Sequence, residues 1–283
     1  LKKINFIYDK YNYTKVLDTI LNPILPYINT YKVSNSFDIN CLNVEFFVEH
    51  SIRDCVFISH GIADKNWRNG NKTKDYKYIF VSGVAWKNKL ISQGVNPDKI
   101  FINGYTKLDP IFQGKYKKNN YDKTTILFAP THATIPNVSL YNRFDNILEK
   151  IPDDFILLKS EHPVQTKSDP TLQLLLDADI VIADSGSILY EAWSLGKQVI
   201  FADWLIKDGV NVNFHNSFED YIYKQKIGLH AQDKNHFIKL LYKAKKEKIS
   251  NQVNVFMKSI FPEELRGNSG KVTAKTLVTL AYK

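Results

Sequence analysis

The chain has 283 residues, 44% of them hydrophobic and 24% charged, with 38 Lys and Arg against 29 Asp and Glu. That apolar content excludes a disordered chain, and 12 Gly with 10 Pro exclude a collagen-like or low-complexity one. The net charge of +9 points to nucleic acid, an anionic membrane face or phosphorylated substrates, and the length suits one large domain or two modest ones.

Short apolar runs alternate with helical stretches along the chain, the pattern of α/β proteins with parallel sheets. Ile4–Tyr8 reads as the first strand, and a helix over about Tyr13–Leu21 is ended by Pro23 and Pro26. Strands follow at Val44–Val48, Cys55–Ser59 and Tyr78–Ser82, then a helix from Val84 to Gln93 and a strand at Lys99–Ile102. Phe112–Lys123 is polar, basic and without periodicity, the signature of a linker. Beyond it come strands at Ile126–Ala129, Phe155–Lys159, Ile180–Ala183 and Gln198–Phe201. Helices are expected at Leu140–Glu149, Thr171–Leu176, Ser187–Leu195, Asn235–Glu247 and Lys271–Tyr282. The expectation is an N-terminal domain over 1–115 and a C-terminal domain over 116–283, with facing loops at the carboxyl ends of their strands forming a cleft.

Two cysteines, Cys41 and Cys55, make no disulfide framework and no metal-ligand pair, which suits a reducing, cytoplasmic setting. No apolar run approaches the roughly 20 residues of a membrane span. There is no GxGxxG after the first strand, no GxxxxGK[ST], no HExxH and no GxSxG. NAD binding, a P-loop NTPase, a zinc site and a hydrolase elbow are therefore unsupported, and neither metal nor cofactor is expected.

Five loop segments, each just beyond an expected strand, carry chemistry. In SHGIADKNW, His60 offers an imidazole suited to base chemistry near neutral pH, and Gly61 allows close backbone approach, with Lys65 following. GYTKLD (Gly104 to Asp109) reads by itself as a turn before the linker. FAPTHAT places Thr131 and His132, and LLKSEHPVQ places Lys159 and His162, where either pair could meet phosphate oxygens or simply form a surface turn. In the last segment a strand runs into Asp184-Ser185-Gly186-Ser187 and a helix starts at once. Such a start offers N–H groups and hydroxyls to a phosphate, with Glu191 one turn on; Ser187 also reads as a helix cap.

Taken in order, HG…K (His60, Gly61, Lys65), GYxxxD (Gly104, Tyr105, Asp109), LFAPT (Leu127–Thr131), HP (His162, Pro163) and DxxIADSGS (Asp179–Ser187) resemble the CDP-glycerol glycerophosphotransferases, GT-B enzymes that build teichoic acids and capsular polymers. The resemblance spans roughly Ser59 to Asp203 and implies two Rossmann-like domains facing across a cleft. It implies His60 as base, with Asp109 beside it among the catalytic residues. It places Gly61, Lys65, Gly104, Lys107, Thr131, His132, Lys159, His162, Asp184, Ser185, Gly186, Ser187 and Glu191 on substrate. His162, Ser185 and Ser187 would meet the donor diphosphate. The implied partners are a CDP- or CMP-activated donor and a polysaccharide or lipid-linked acceptor at the inner membrane face, without nucleic acid. The sequence departs from the family at Thr106-Lys107, at His132-Ala133 and at Gly186.

The last segment also resembles the UDP-N-acetylglucosamine 2-epimerases in its DSG start, Glu191 and Leu195-Gly196-Lys197, while HP with a serine-rich segment is similar to CMP-sugar transferases. A non-enzymatic reading, a basic polymer-binding protein, rests on the charge and on His236–Lys248. That segment sets Phe237, Leu240, Leu241 and Ala244 on one side and lysines mostly elsewhere; its plainest reading is a surface helix packed by its apolar face.

Overall fold

The computed structural model describes residues 4–8, 19–35, 55–59, 61–66, 70–131, 137–141, 143–160 and 171–282. These form two compact units: Leu1–Ile62 with Trp67–Lys115 and Lys258–Lys283, and Ala63–Asn66 with Tyr116–Met257. The units are thus not the two contiguous halves expected from the linker. Four residues of the SHGIADKNW segment pack in the second unit, and residues 258–282 pack in the first.

The first unit holds a parallel pair, β1 (Ile4–Tyr8) and β2 (Tyr31–Asn35), and a parallel three-stranded sheet of β3 (Val56–Ile58), β4 (Tyr78–Val81) and β5 (Ile100–Ile102). β2 is not evident in the sequence, because Lys32, Ser34 and Asn35 are poor strand formers; pairing with β1 decides it. The helix Val84–Ser92 links β4 to β5 and buries Trp86 and Leu90. The strand expected at Val44–Val48 and most of the helix expected at Tyr13–Leu21 lie outside the described residues.

What returns the C-terminus to this unit is a set of polar contacts at the start of the helix Ser269–Ala281. Asp109, fully buried, accepts the Ser269 and Gly270 backbone N–H groups at 3.2 and 2.6 Å. The Ser269 Oγ accepts the Tyr105 N–H at 3.0 Å. Gly104 sits here with φ +85°, and a Cβ on it would lie 2.2 Å from that same Oγ, so only glycine fits.

Burial pushes the Asp109 pKa from about 3.8 up to about 6, against the lowering effect of the Gly270 and Ser269 N–H groups. A raised pKa means that this group's contribution to stability is complete below the unfolded value and is lost as pH climbs through the folded one. The shift corresponds to about 3 kcal/mol. Asp109→Asn keeps an acceptor at the helix and removes the titration. The wild-type minus variant unfolding free energy, measured in urea from pH 4 to 7, is expected to fall by about that amount. A flat difference would contradict this placement of the charge.

The second unit is a five-stranded, all-parallel sheet in the order β10-β9-β8-β6-β7. Its members are β6 (Thr124–Phe128), β7 (Phe155–Lys159), β8 (Ile180–Ile182), β9 (Gln198–Ala202) and β10 (Leu229–Ala231). In chain order within the unit this is 2-1-3-4-5, a doubly wound sheet whose order reverses between β6 and β8. β8 and β9 are buried throughout, as expected of central parallel strands. The linker is tied to this unit at Asp177, whose carboxylate accepts the Asn119 backbone and side-chain N–H groups, each at 2.8 Å.

The helix expected over Leu140–Glu149 shrinks to the single turn Asp145–Leu148, because the Leu140 N–H bonds Asp184 and the Tyr141 N–H bonds the Ser139 Oγ. Phe144 then stacks on Phe128 with ring centroids 5.6 Å apart and meets Phe237 edge-on at 5.2 Å. The helix Lys234–Lys246 buries Phe237, Leu240, Leu241 and Ala244 and leaves Lys239, Lys243, Lys245 and Lys246 exposed, a surface helix packed by its apolar face. Two helices, Asp203–Asn213 and Phe218–Gln225, were not evident in the sequence. The first carries Gly209 in its interior because a Cβ there would lie 1.9 Å from the Asn137 carbonyl oxygen, so the glycine admits the 137–140 segment.

Three-residue β10 is anchored by a buried charge cluster. Asp203 meets His230 Nδ1 at 2.7 Å and pairs with Lys226, while His230 Nε2 lies 3.0 Å from the Ile227 carbonyl. Burial opposes the Asp203 charge, but His230 and Lys226 outweigh it and hold the carboxyl below its usual range. Among the described residues, no helix is long and apolar enough to cross a membrane.

Candidate functional site

The switch point of a doubly wound sheet is where adjacent loops diverge to opposite faces and leave a crevice at the carboxyl ends of the strands. Here it lies between the exits of β6 and β8, which carry Ala129-Pro130-Thr131 and Ala183 through Ser187. Two of the five sequence segments therefore meet at the position where the topology opens a site. A third joins them: residues 63–66 pack in this unit.

Asp184 organises the crevice. Fully buried, it accepts four backbone N–H groups: Thr131 at 2.9 Å and Leu140 at 3.1 Å on one oxygen, Ser185 at 2.6 Å and Gly186 at 3.2 Å on the other. One carboxylate thus fixes the β6 exit, the β8 exit and the 137–140 segment. That is a positioning role, in which both carboxylate oxygens are engaged by the chain's own backbone. Ser185 is engaged in the same way, since its buried Oγ donates to the Val138 carbonyl at 3.1 Å. Ser187 stands at the N-cap without a side-chain cap bond, and its Oγ accepts the Ala63 N–H at 3.2 Å. The helix it precedes, Ile188–Ser194, has only seven residues, so its terminus offers less to an anion than the sequence suggested. Glu191 is buried within that helix.

The cation of the site is Lys65. Its Nζ donates to the Thr131 Oγ1 at 2.8 Å and lies 6.0 Å from the Phe214 ring centroid. The Thr131 Oγ1 receives this bond and keeps its own proton for another acceptor. Gly186 faces the same threonine, and a Cβ on it would find Thr131 Cβ at 3.4 Å, an ordinary contact. An ammonium, a hydroxyl and a side-chain-free backbone at a switch point form a set able to hold phosphate oxygens.

Lys65 reaches this position through a backbone bend that the sequence does not announce. Lys65 and Asn66 have φ of 45° and 56°, the left-handed region, costing roughly 1–2 kcal/mol per residue. Glu219, fully buried at the start of the helix Phe218–Gln225, offsets this cost. It accepts the Asp64 N–H at 2.9 Å, the Lys65 N–H at 2.7 Å and the Tyr190 hydroxyl at 2.6 Å. Asp64 answers by accepting the Phe218 N–H at 2.9 Å. Burial, then the charge of Asp64, raise the Glu219 pKa. Burial, then Glu219 itself, raise that of Tyr190 well above its usual value and keep it a donor. Glu219, Asp64 and Tyr190 were missed in the sequence. The available signal was an acid in the first turn of a helix capped by Ser217, with its partner more than 150 residues away.

The remaining expected residues are distributed as follows. Lys159 is exposed at the end of β7, beside Phe128 of β6. Gly61, Gly104, Lys107 and Asp109 belong to the first unit, where Asp109 serves as a helix cap with both oxygens engaged. His60, His132 and His162 lie outside the described residues. Among the described residues, no group of three or more His, Cys, Asp or Glu could hold a metal ion.

Two α/β units with parallel sheets, one doubly wound with its crevice at the switch point, define a GT-B-like fold. Among solved structures, the wall teichoic acid polymerase TagF shares it, with a TM-score of 0.68 over 99% of this chain and 89% of that one at 13% identity. A histidine-to-asparagine variant of TagF, from a 30-minute soak with CDPG, matches at a TM-score of 0.62 and 13% identity, over the same shares of both chains. A UDP-GlcNAc 2-epimerase from Methanocaldococcus jannaschii, in complex with UDP-GlcNAc and UDP, gives 0.48 at 21% identity, over 75% of this chain and 62% of that one. No family model matches the sequence, and no curated protein matches it.

Proposed function

We propose that this protein is a transferase that binds a nucleoside-diphosphate- or monophosphate-activated donor at the β6/β8 switch point and passes a glycerol-phosphate-like or sugar group to a cell-surface polymer. The observation that carries the reading is the placement of Lys65 Nζ on Thr131 Oγ1 above the backbone that Asp184 fixes. That arrangement brings three of the five sequence segments to one crevice. The shared fold with TagF, a wall teichoic acid polymerase with a variant soaked with CDPG, supports a polymer-building transferase and favours a cytidine nucleotide. Lys65, Thr131, Gly186 and Ser187 are the proposed contacts to the donor phosphates, joined by Lys159 and by His132 and His162 from the sequence. His60 is the proposed base that deprotonates the acceptor hydroxyl.

The alternative donors, UDP-sugars, and the non-enzymatic reading separate from this one in a single experiment. CDP, CMP, UDP and single-stranded RNA are titrated separately into the protein by calorimetry, and turnover of CDP-glycerol is followed with wild type and His60→Ala. The expected result is saturable CDP or CMP binding, unchanged in His60→Ala, with turnover in that variant lower by about 10²–10⁴-fold. Tighter binding of UDP than of CDP would move the assignment to a UDP-sugar enzyme. RNA binding without nucleotide binding would overturn it.

A further inference from the structure

In the first unit, the carboxyl ends of β3, β4 and β5 surround a cavity of about 40 Å³, large enough for a group of a few heavy atoms. Ser59, Thr73, Ser82, Asn103, Thr106 and Thr273 supply its polar side chains, and Trp86 and Tyr105 are among its other walls. Asn103 is only 2% exposed. Its backbone N–H continues the sheet by donating to the Val81 carbonyl at 2.9 Å, but its side-chain Nδ2 is buried without a hydrogen-bond partner among the described residues. A buried amide left in that state costs roughly 1–3 kcal/mol. The Asn103 side chain is therefore held at the cavity at a cost to stability, and a group that enters the cavity can satisfy it.

Three of the other polar side chains show what kind of group. The Ser59 Oγ donates to the Gly61 carbonyl at 2.8 Å, the Ser82 Oγ to the Ile260 carbonyl at 2.8 Å and the Thr106 Oγ1 to the Ile20 carbonyl at 2.7 Å. Each of these three hydroxyls has spent its proton on the backbone and has an oxygen lone pair left to offer. Among the described residues the lining contains no Lys, Arg, Asp or Glu, so a phosphate, carboxylate or ammonium would be desolvated there without a counter-charge from them. A ligand alcohol fits, because its O–H can donate to a serine oxygen while its oxygen accepts from the Asn103 amide.

We propose that this cavity is a binding subsite for an uncharged, hydroxyl-bearing group, with the Asn103 amide as its hydrogen-bond partner. On the transferase reading above, and resting on it, the group belongs to the acceptor; binding at the cavity is independent of that reading.

The test uses the full chain and glycerol as the probe, followed by proton–nitrogen NMR, with inorganic phosphate as the charged comparison. Glycerol is expected to shift the Asn103 side-chain amide and the Ser82 and Gly104 backbone amides saturably, and phosphate to leave them unmoved. Asn103→Leu, close in shape and apolar, is expected to abolish the glycerol shifts at Ser82 and Gly104 while the thermal midpoint stays equal or rises. No saturable glycerol response in wild type would overturn the proposal without recourse to any variant. So would a response retained in Asn103→Leu, or a lowered midpoint with no glycerol binding, the result of an amide satisfied by a fixed water. Titrating CDP in the same spectra separates the two proposals: a protein that binds glycerol here and no nucleotide retains this subsite and loses the donor reading.

Discussion

Replacing Glu219 by alanine is expected to lower the unfolding free energy by at least about 3 kcal/mol and to weaken nucleotide binding with it. The carboxylate is the common acceptor for the Asp64 and Lys65 N–H groups and the Tyr190 hydroxyl. Truncation strands three donors in a fully buried place, and stranded donors cost more than the net value of the bonds they made. It also releases the left-handed bend at Lys65 and Asn66, so the ammonium leaves Thr131. Tyr190→Phe separates the two consequences. It removes one donor and leaves the two backbone bonds, so a loss of about 1 kcal/mol is expected, with nucleotide affinity unchanged. Urea unfolding and calorimetry on both variants make the comparison. A Glu219→Ala protein within about 0.5 kcal/mol of wild type would show that the 63–66 bend does not depend on this carboxylate.

Lys65→Met is expected to do the opposite, sparing the fold and impairing the site. The side chain is only half-buried, and its Nζ donates to a neutral hydroxyl, so stability should change by less than about 0.5 kcal/mol. A charge-assisted contact to a phosphate is worth roughly 1.5–3 kcal/mol, so CDP affinity should fall about 10- to 100-fold. Cytidine, which carries no phosphate, should bind both proteins equally. Equal CDP affinities for variant and wild type would remove Lys65 from the donor site.

Much of the second unit could be read from the sequence because its strands are short apolar runs whose polar loops follow at once. Phe128–Thr131 and Asp184–Ser187 were identified as strand exits, and the structure places both at the switch point. The roles of the residues within them were harder to read. In a tight loop the backbone N–H groups need acceptors, and the nearest strong acceptor is the loop's own carboxylate, so Asp184 turns inward onto them. Ser185 follows the same logic toward the Val138 carbonyl. Glu219 and the return of Ser269–Ala281 to the first unit were beyond reach, because both depend on contacts across about 150 residues of sequence that leave no local periodicity. Asp109 illustrates the ambiguity most plainly. An acid after a strand-exit glycine suits catalysis and helix capping equally, and here it meets two helix N–H groups.

The surplus of nine positive charges now divides into parts with different meanings. Lys65 belongs to the switch-point crevice, whereas Lys239, Lys243, Lys245 and Lys246 lie on the exposed face of a helix that is packed by its apolar side. Lys65, with Lys159 at the end of β7, bears on the proposed chemistry; the helix lysines do not.

The most direct test is a structure of the protein with CMP, CDP and UDP offered together. A cytidine nucleotide is expected in the crevice between the β6 and β8 exits, its phosphate oxygens within hydrogen-bond reach of Lys65 Nζ, Thr131 Oγ1 and the backbone at Gly186. A nucleotide bound elsewhere, or uridine selected over cytidine, would contradict it.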